Sequence, residues 1–366
     1  MKLESLLARS FRNIEREEIS FSPGVNLIYG ENAEGKTNLL EAVYYFARGK
    51  SFRGAHDKEL CRFGTSFFEI EARFLSREKQ NSLSYLFTGK EKKKKYNRIE
   101  RKSASEMLGH FRAVLFCPEH LSLVKGEPQR RRDFLNVAIS QVEPDYLSAY
   151  AEYQTLLEER NSLIRFAAKG MGLDAREFEV FSEGLSRAAA RVTYMRYRYV
   201  EKIKPYAENI LSEISTGRET ISLSYLSGVS DGSVPLLSEE YAKLYRRDIP
   251  REIAAGYTLF GPHRDDLEIT LSGHAAREYA SQGQQRSITL ALKLAEGEVS
   301  SLMCGEYPVF LFDDVMSELD EGRRRFLLGS LGGRQILITA CDRRDFEGTS
   351  ASLIRAEGGR YEAVSQ

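Results

Sequence analysis

The stretch GENAEGKTN, Gly30 to Asn38, lies between the apolar run VNLIY and the apolar-periodic LLEAVYYFA. Glycine, four residues, then glycine, lysine and threonine is the phosphate-loop spacing, and a strand before it with a helix after it is the context that pattern requires. This restricts the fold to an α/β arrangement with the loop at a strand end. Gly30 and Gly35 let successive backbone N–H groups and a helix N-terminus face one anionic centre. Lys36 is then placed to reach the β- and γ-phosphates, and the Thr37 hydroxyl to help hold Mg²⁺. A glycine turn that only caps a helix would not need lysine and threonine after the second glycine.

The carboxylates such a site requires stand far along the chain. VFLFDD, Val309 to Asp314, is an apolar strand ending in two acids. Asp313 suits the metal and Asp314 the attacking water. About thirty residues earlier, Ser281, Gly283 and Gln284 open a strongly apolar helix whose N-terminus favours an anion. Just after the acids comes MSELD, with Asp320.

Around these motifs the first hundred residues read as short strands (KLESLLA, EEISF, VNLIYG, FFEIEARFL, SLSYLF) interrupted by the phosphate-loop helix. From Asp145 the pattern turns helical. Tyr146, Tyr150, Tyr153, Leu157, Ile164 and Ala167 form one stripe, with Arg160 its polar intruder. KGMGL at 169–173 ends that helix. A second stripe, Phe178, Phe181, Leu185, Ala188, Val192, Met195 and Tyr199, predicts an antiparallel hairpin, either core helices of a compact domain or a projecting arm. Pro205 within the continuing pattern predicts a kink or break. Strands return around YTLFGPHRDDLEITLSG, where His263 reads as structural rather than, with Arg264, as a catalytic cluster, and Asp265 and Asp266 as residues that pin a turn.

Charge separates few classes, because 53 basic residues balance 53 acidic ones and any nucleic-acid site must be a local patch. The candidates are KEKKKKYNRIERK, Lys90 to Lys102, read as a loop tip, and Arg130 to Arg132, read as the start of a helix able to meet phosphate. The four cysteines make no metal-ligand spacing and read as buried thiols. No apolar run of membrane-spanning length and no secretory signal are visible, so a cytoplasmic protein is expected.

The motif order resembles the ATP-binding-cassette ATPases, with ASQGQ as signature and SELD as D-loop. Within that class, LLARSFRNIE, GENAEGKTNLLEAVYYFARGKSFRG, LSLVKGEPQRRRDFL, GPHRDDLEI, SQGQQRS and LFDDVMSELD together resemble the RecF family of bacterial recombination mediators, from one end of the chain to the other. The resemblance implies an ABC-type (Rad50/SMC-head-like) P-loop ATPase head with mixed sheets at 1–115 and 257–366, and an inserted helical arm or lid domain at 116–256. It implies an ATP- and Mg²⁺-dependent homodimer that binds gapped or junction DNA, works with RecO and RecR, and hydrolyses ATP weakly under DNA stimulation.

Carried over, Gly30, Glu31, Asn32, Ala33, Glu34, Gly35, Lys36, Thr37 and Asn38 bind the nucleotide. Thr37 and Asp313 serve the metal and Asp314 the water, with Lys36 and Asp320 completing the catalytic set. Ser281, Gly283 and Gln284 cap the partner's γ-phosphate. By likeness to related heads, Arg12 and Asn13 of FRN are further nucleotide contacts, the alternative being a strand-end arginine and a turn asparagine.

The chain departs from the pattern at four places. Asp314 replaces the usual glutamate, which predicts slow hydrolysis; no Q-loop glutamine follows AVLFCPEH; Ala340 and Cys341 stand where a switch histidine could; and Asn136 occupies a place commonly held by aspartate. The alternative reading is the nucleotide-binding subunit of a membrane transporter, and a third is a scaffold in which ATP is a slow timer.

Overall fold

The computed structural model describes all residues except 173, 331, 347–349 and 365–366, and the side chains of 344 and 345. Two compact units emerge. The first comprises 1–124, 206–220 and 280–366, and the second 125–205 and 221–279. Residues 257–279, placed in the head by the sequence reading, fall in the second unit, and 206–220, placed in the arm, fall in the first.

The first unit opens with β1 (Lys2–Phe11), β2 (Ile14–Ser20) and β3 (Val25–Tyr29), followed by α1 (Lys36–Arg48) and α2 (Asp57–Leu60). Next come β4 (Phe68–Ser76), β5 (Lys79–Phe87), β6 (Lys92–Tyr96), β7 (Ile99–Glu100) and β8 (Ala113–Phe116), then the short α3 (Ser122–Lys125). The second unit begins in α4 (Pro128–Val142) and α5 (Pro144–Ala168) and runs into the long α6 (Ala175–Ile214), where the boundary falls at Pro205. It continues with β9 (Ile221–Leu226), α7 (Val234–Arg247), α8 (Ile249–Ala255), β10 (Asp266–Leu271), β11 (His274–Ala275) and α9 (Ala276–Tyr279). The first unit then resumes with α10 (Gln282–Cys304), β12 (Val309–Phe312), α11 (Glu321–Ser330), β13 (Ile336–Ala340), β14 (Ala351–Glu357) and β15 (Arg360–Val364).

Two sheets build the first unit. One is antiparallel, in the order β2-β1-β4-β5-β6-β7; the other runs β15-β14-β3-β13-β12-β8 and is parallel except at β15. Strands buried on both faces read as continuous apolar runs, as VNLIY, VFLF and ILITA do. Alternate residues serve two cores: Ile28 and Leu311 pack with α1 and the antiparallel sheet, while Leu27 and Phe310 pack with Leu290 and Leu294 of α10. This arrangement holds β3, and the loop it feeds, at the centre of the parallel sheet.

In the second unit α5 and α6 are antiparallel. Arg196 donates to the Tyr146 hydroxyl, Arg191 pairs with Glu152, and Arg160 donates to the Ser182 hydroxyl. Beyond the predicted stripe, Ala189, Ala190, Thr193 and Arg196 of α6 are also buried, so much of this helix is a core element rather than a free arm. Pro205 does not break α6, which runs through it. Arg160 tolerates its apolar stripe because it is fully buried against Glu252 at 2.6 Å, with Thr258 and the rings of Phe178 and Tyr245 around it.

Asn136 accepts from the Tyr146 hydroxyl and Arg196, which gives it a packing role. Asp265 is buried and accepts from the Tyr225 hydroxyl; burial pushes its carboxyl up to about 6. His263 lies between the Tyr153 hydroxyl and the Thr258 carbonyl, and burial pulls its imidazole down to about 4. Because that pKa lies below the ordinary 6.5, the histidine's contribution to stability is present above about pH 6.5 and is lost as pH falls toward 4. Asp265 acts with the opposite sign, so the two are separated by comparison with a variant. The stability advantage of wild type over His263→Gln should shrink by about 2 kcal/mol between pH 7 and pH 5 in urea titrations; a constant difference would exclude a neutral buried imidazole.

Candidate nucleotide site

The phosphate loop is shaped by its neighbours as much as by its own residues. A Cβ on Gly30 would lie 2.3 Å from the Ala356 carbonyl oxygen of β14, and Gly35 has φ +106°, a region that favours glycine. The Asn13 side-chain amide donates to the Glu34 carbonyl at 3.3 Å, and the Asn38 amide donates to Asn13 at 2.8 Å. From the β14–β15 turn, the Gly359 amide donates to the Glu34 carbonyl, the Gly358 amide to its carboxylate, and the Tyr361 hydroxyl to the Gly35 carbonyl. Lys36 is nearly buried, and its Nζ donates to the Gly30 and Glu31 carbonyls, 2.7 Å each. The lysine is therefore folded back onto the backbone of its own loop.

Thr37 and Asp313, 276 positions apart, meet directly. The Thr37 hydroxyl donates to Asp313 Oδ1 at 2.9 Å, and the Thr339 hydroxyl, at the end of β13, donates to the same oxygen at 3.0 Å. Burial raises the Asp313 carboxyl above its usual range against these two bonds, and the charges of Asp314 and Glu119 push it further. Such a pair of hard oxygen ligands beside uncompensated negative charge fits Mg²⁺, which takes one or two protein oxygens and keeps its other positions for water and phosphate. Among the described residues no group of three or more His, Cys, Asp or Glu could hold a metal ion.

Asp314 is exposed and has φ +50°, a conformation costly for a non-glycine residue; its amide donates to Thr339 Oγ1 at 2.8 Å. That backbone turns the second acid out of the strand direction. Glu119, which the sequence reading passed over, follows β8. Phe116 of β8 pairs with Phe312 of β12, and the Asp313 amide donates to the Phe116 carbonyl, which brings the 117–120 segment beside the acids. Cys341 is exposed, with Sγ 3.1 Å from Asn32 Oδ1 of the phosphate loop. Only Cys117 is buried among the four cysteines, contrary to the expectation for all of them.

Arg12 is placed differently from Asn13. Its guanidinium makes two bonds to the buried Glu41, at 2.8 and 2.9 Å, and one to the Glu59 carbonyl. Asn13 thus touches the loop, whereas Arg12 fixes α1 beneath it. The arginine triplet also departs from expectation. Arg131 is buried and bidentate on Asp266, and Arg132 donates to the Asp265 carbonyl, which leaves Arg130 as the exposed member.

Ser281 caps α10: its hydroxyl accepts from the Gln284 amide, and Gln284 Oε1 accepts from the Ser281 amide. Gln284 Nε2 also reaches Glu219 at 2.9 Å. Arg323 joins this helix to the D-loop stretch by donating to Ser287 and pairing with Asp320, while Arg286 pairs with Glu318. Among the described residues no hydrogen bond or ion pair joins 281–286 to 30–38 of the same chain.

Residues 2–357 match the sequence model of the family described as "RecF/RecN/SMC N terminal domain". The DNA replication and repair protein RecF of Lactobacillus acidophilus is 39% identical over 360 residues, 97% of this chain and 95% of that protein. The chain belongs to the RecF family. RecF of Listeria innocua is likewise 39% identical, over 93% of this chain and 92% of its own. A solved structure described as the recombination mediator RecF with ATP in the RecFOR pathway superposes with a TM-score of 0.92 at 35% identity, covering all of this chain and 98% of that one. An Smc head domain from Pyrococcus furiosus, at 16% identity and a TM-score of 0.57, shares the fold. RecF-family membership sets the transporter alternative aside, and no described helix is long and apolar enough to cross a membrane.

Proposed function

We propose that this chain is an ATP-dependent DNA-binding switch of recombinational repair, acting in the cytoplasm with RecO and RecR in a RecFOR-type pathway. ATP binding closes a head-to-head homodimer on gapped or junction DNA, and slow, DNA-stimulated hydrolysis to ADP and phosphate reopens it. The observation that carries this reading is the meeting of Thr37 with Asp313 behind a phosphate loop, while the capped N-terminus of α10 makes no bond to that loop. A helix N-terminus favours an anion, and one that makes no bond to its own phosphate loop suits a phosphate held by a second copy.

In this reading Lys36 exchanges its bonds to the Gly30 and Glu31 carbonyls for phosphate oxygens, so the loop carries its own stand-in for ligand. Thr37 and Asp313 would hold Mg²⁺, which when bound neutralises charge on the terminal phosphates. Asp314 orients and deprotonates the attacking water. One methylene shorter than glutamate, it must approach more closely, which favours slow turnover. Ser281, Gly283 and Gln284 act across the dimer, with Asp320 held beside them by Arg323. ATP favours closure only through contacts that exist when γ-phosphate bridges two heads, and hydrolysis removes that differential affinity.

Sedimentation of wild type and Ser281→Arg with Mg-ATP, with and without gapped duplex, tests the reading. Wild type should dimerise with ATP, and the variant should stay monomeric while binding ATP with unchanged affinity. Equal dimerisation of both would remove the trans-capping role of α10.

A further inference from the structure

The lysine-rich stretch is not a loop tip. Lys92–Tyr96 forms β6, paired along its length with β5, and Ile99–Glu100 forms β7 at the sheet edge. Asn97 and Arg98 both have positive φ, +48° and +67°, as a two-residue hairpin turn requires. The Asn97 side chain accepts from the Ser82 amide and donates to Asn81, which fixes the turn to β5. The hairpin is thus a well-braced element.

Strand alternation divides its cations into two sets. Lys92 and Lys94 are spent internally. Lys92 Nζ reaches the Gly49 carbonyl at the end of α1 and Asp57, and lies over the rings of Tyr45 and Tyr85; Lys94 Nζ donates to the Lys102 carbonyl. Lys93 and Lys95 face outward with Lys90, Arg98 and Lys102 also exposed, and among the described residues none of the five has an ion-pair partner. From Lys90 to Lys102 there are eight basic and two acidic residues, in a chain whose charges balance only when this stretch is included. Edge lysines can serve only to discourage strand pairing. Lys95, however, lies where β7 already covers β6.

We infer that the outward face of the β6–β7 hairpin is a contact surface for the phosphate backbone of DNA, an inference that rests on the DNA-binding reading above. Charge complementarity selects the partner: a pre-ordered set of cations without ion-pair partners, which outnumber Glu100 opposite Lys95, suits a polyanion. Base reading is not part of the proposal. Contact there would be sequence-independent and would fall steeply with salt.

The test is a salt titration of full-length protein on gapped duplex with Mg-ATP, comparing wild type, Lys93→Gln/Lys95→Gln and Arg187→Glu. The third alters net charge by the same two units at an exposed position on α6. The hairpin variant should lower the magnitude of the slope of log K against log salt by roughly 2, at ~0.9 per phosphate contact. It should also bind at least tenfold more weakly at low salt, with ATP-driven dimerisation unchanged. Arg187→Glu should match wild type. Equal weakening in both variants would make the effect one of overall charge and overturn the proposal, as would an unchanged slope in the hairpin variant. Wild type that dimerises with ATP yet binds no DNA would overturn both this proposal and the DNA-binding reading, but not the ATP switch.

Discussion

A Gly30→Ala chain should bind ATP about 100-fold more weakly than wild type while its second unit keeps its native stability. The added methyl would sit 2.3 Å from a backbone oxygen, that of Ala356, and not beside a side chain able to swing away. β14 cannot retreat cheaply, because it pairs with β3 from Ala351↔Val25 to Arg355↔Tyr29 and with β15 on its other side. Overpacking of this kind costs about 1–3 kcal/mol, and an obstacle made of paired backbone puts it at the upper end. The free chain relieves the clash by shifting the phosphate loop away from β14 and ATP binding must restore it, so about 3 kcal/mol emerges as lost affinity, tenfold for each 1.4. Calorimetric titration with ATP checks the loss. Affinity within threefold of wild type would show that the loop and β14 move together.

The second large effect lies away from the nucleotide. Arg160→Ala should lower the melting temperature of the second unit by on the order of 10 °C. Both Arg160 and Glu252 are fully buried, and removal of the arginine strands the carboxylate with only the Leu259 amide at 2.9 Å, at a cost of about 3–5 kcal/mol. Replacement of both partners, as Arg160→Met/Glu252→Leu, should recover most of the loss, because an apolar pair of similar volume needs no charge solvated. The chain has no tryptophan, so tyrosine fluorescence and near-ultraviolet dichroism are the probes, and this unit is rich in buried tyrosines. A single mutant as stable as wild type would mean that water reaches Glu252.

What the sequence disclosed followed the range of each signal. The phosphate loop, VFLFDD and the α10 cap are local patterns whose residue types dictate their geometry, and the structure assembles them as such. By charge alone the lysine run reads as a loop tip, whereas the alternation of KKKKY, whose even and odd members face opposite ways, marks a strand. Arg131 misled for the related reason that its partner, Asp266, lies 135 residues away. Tyr361, Thr339 and Glu119 could not be found by spacing. Each acquires its place through strand register in the parallel sheet, which no local pattern encodes. Arg160, by contrast, announced itself as a charge on an apolar stripe, and only its partner was missing.

The order of strands in the parallel sheet bears on how this protein is made. β3 emerges early, yet its two neighbours, β13 and β14, lie beyond residue 335, and the turn that holds Glu34 comes at 358–359. A chain growing on the ribosome carries its phosphate loop for some three hundred residues before any strand can flank it. Until then the loop has Asn13 beside it but neither the Asp313 carboxylate in place nor the braces from Gly358, Gly359 and Tyr361. Nascent chains should therefore be blind to cellular ATP until β13, β14 and the 358–359 turn have emerged, and nucleotide competence should arrive with them.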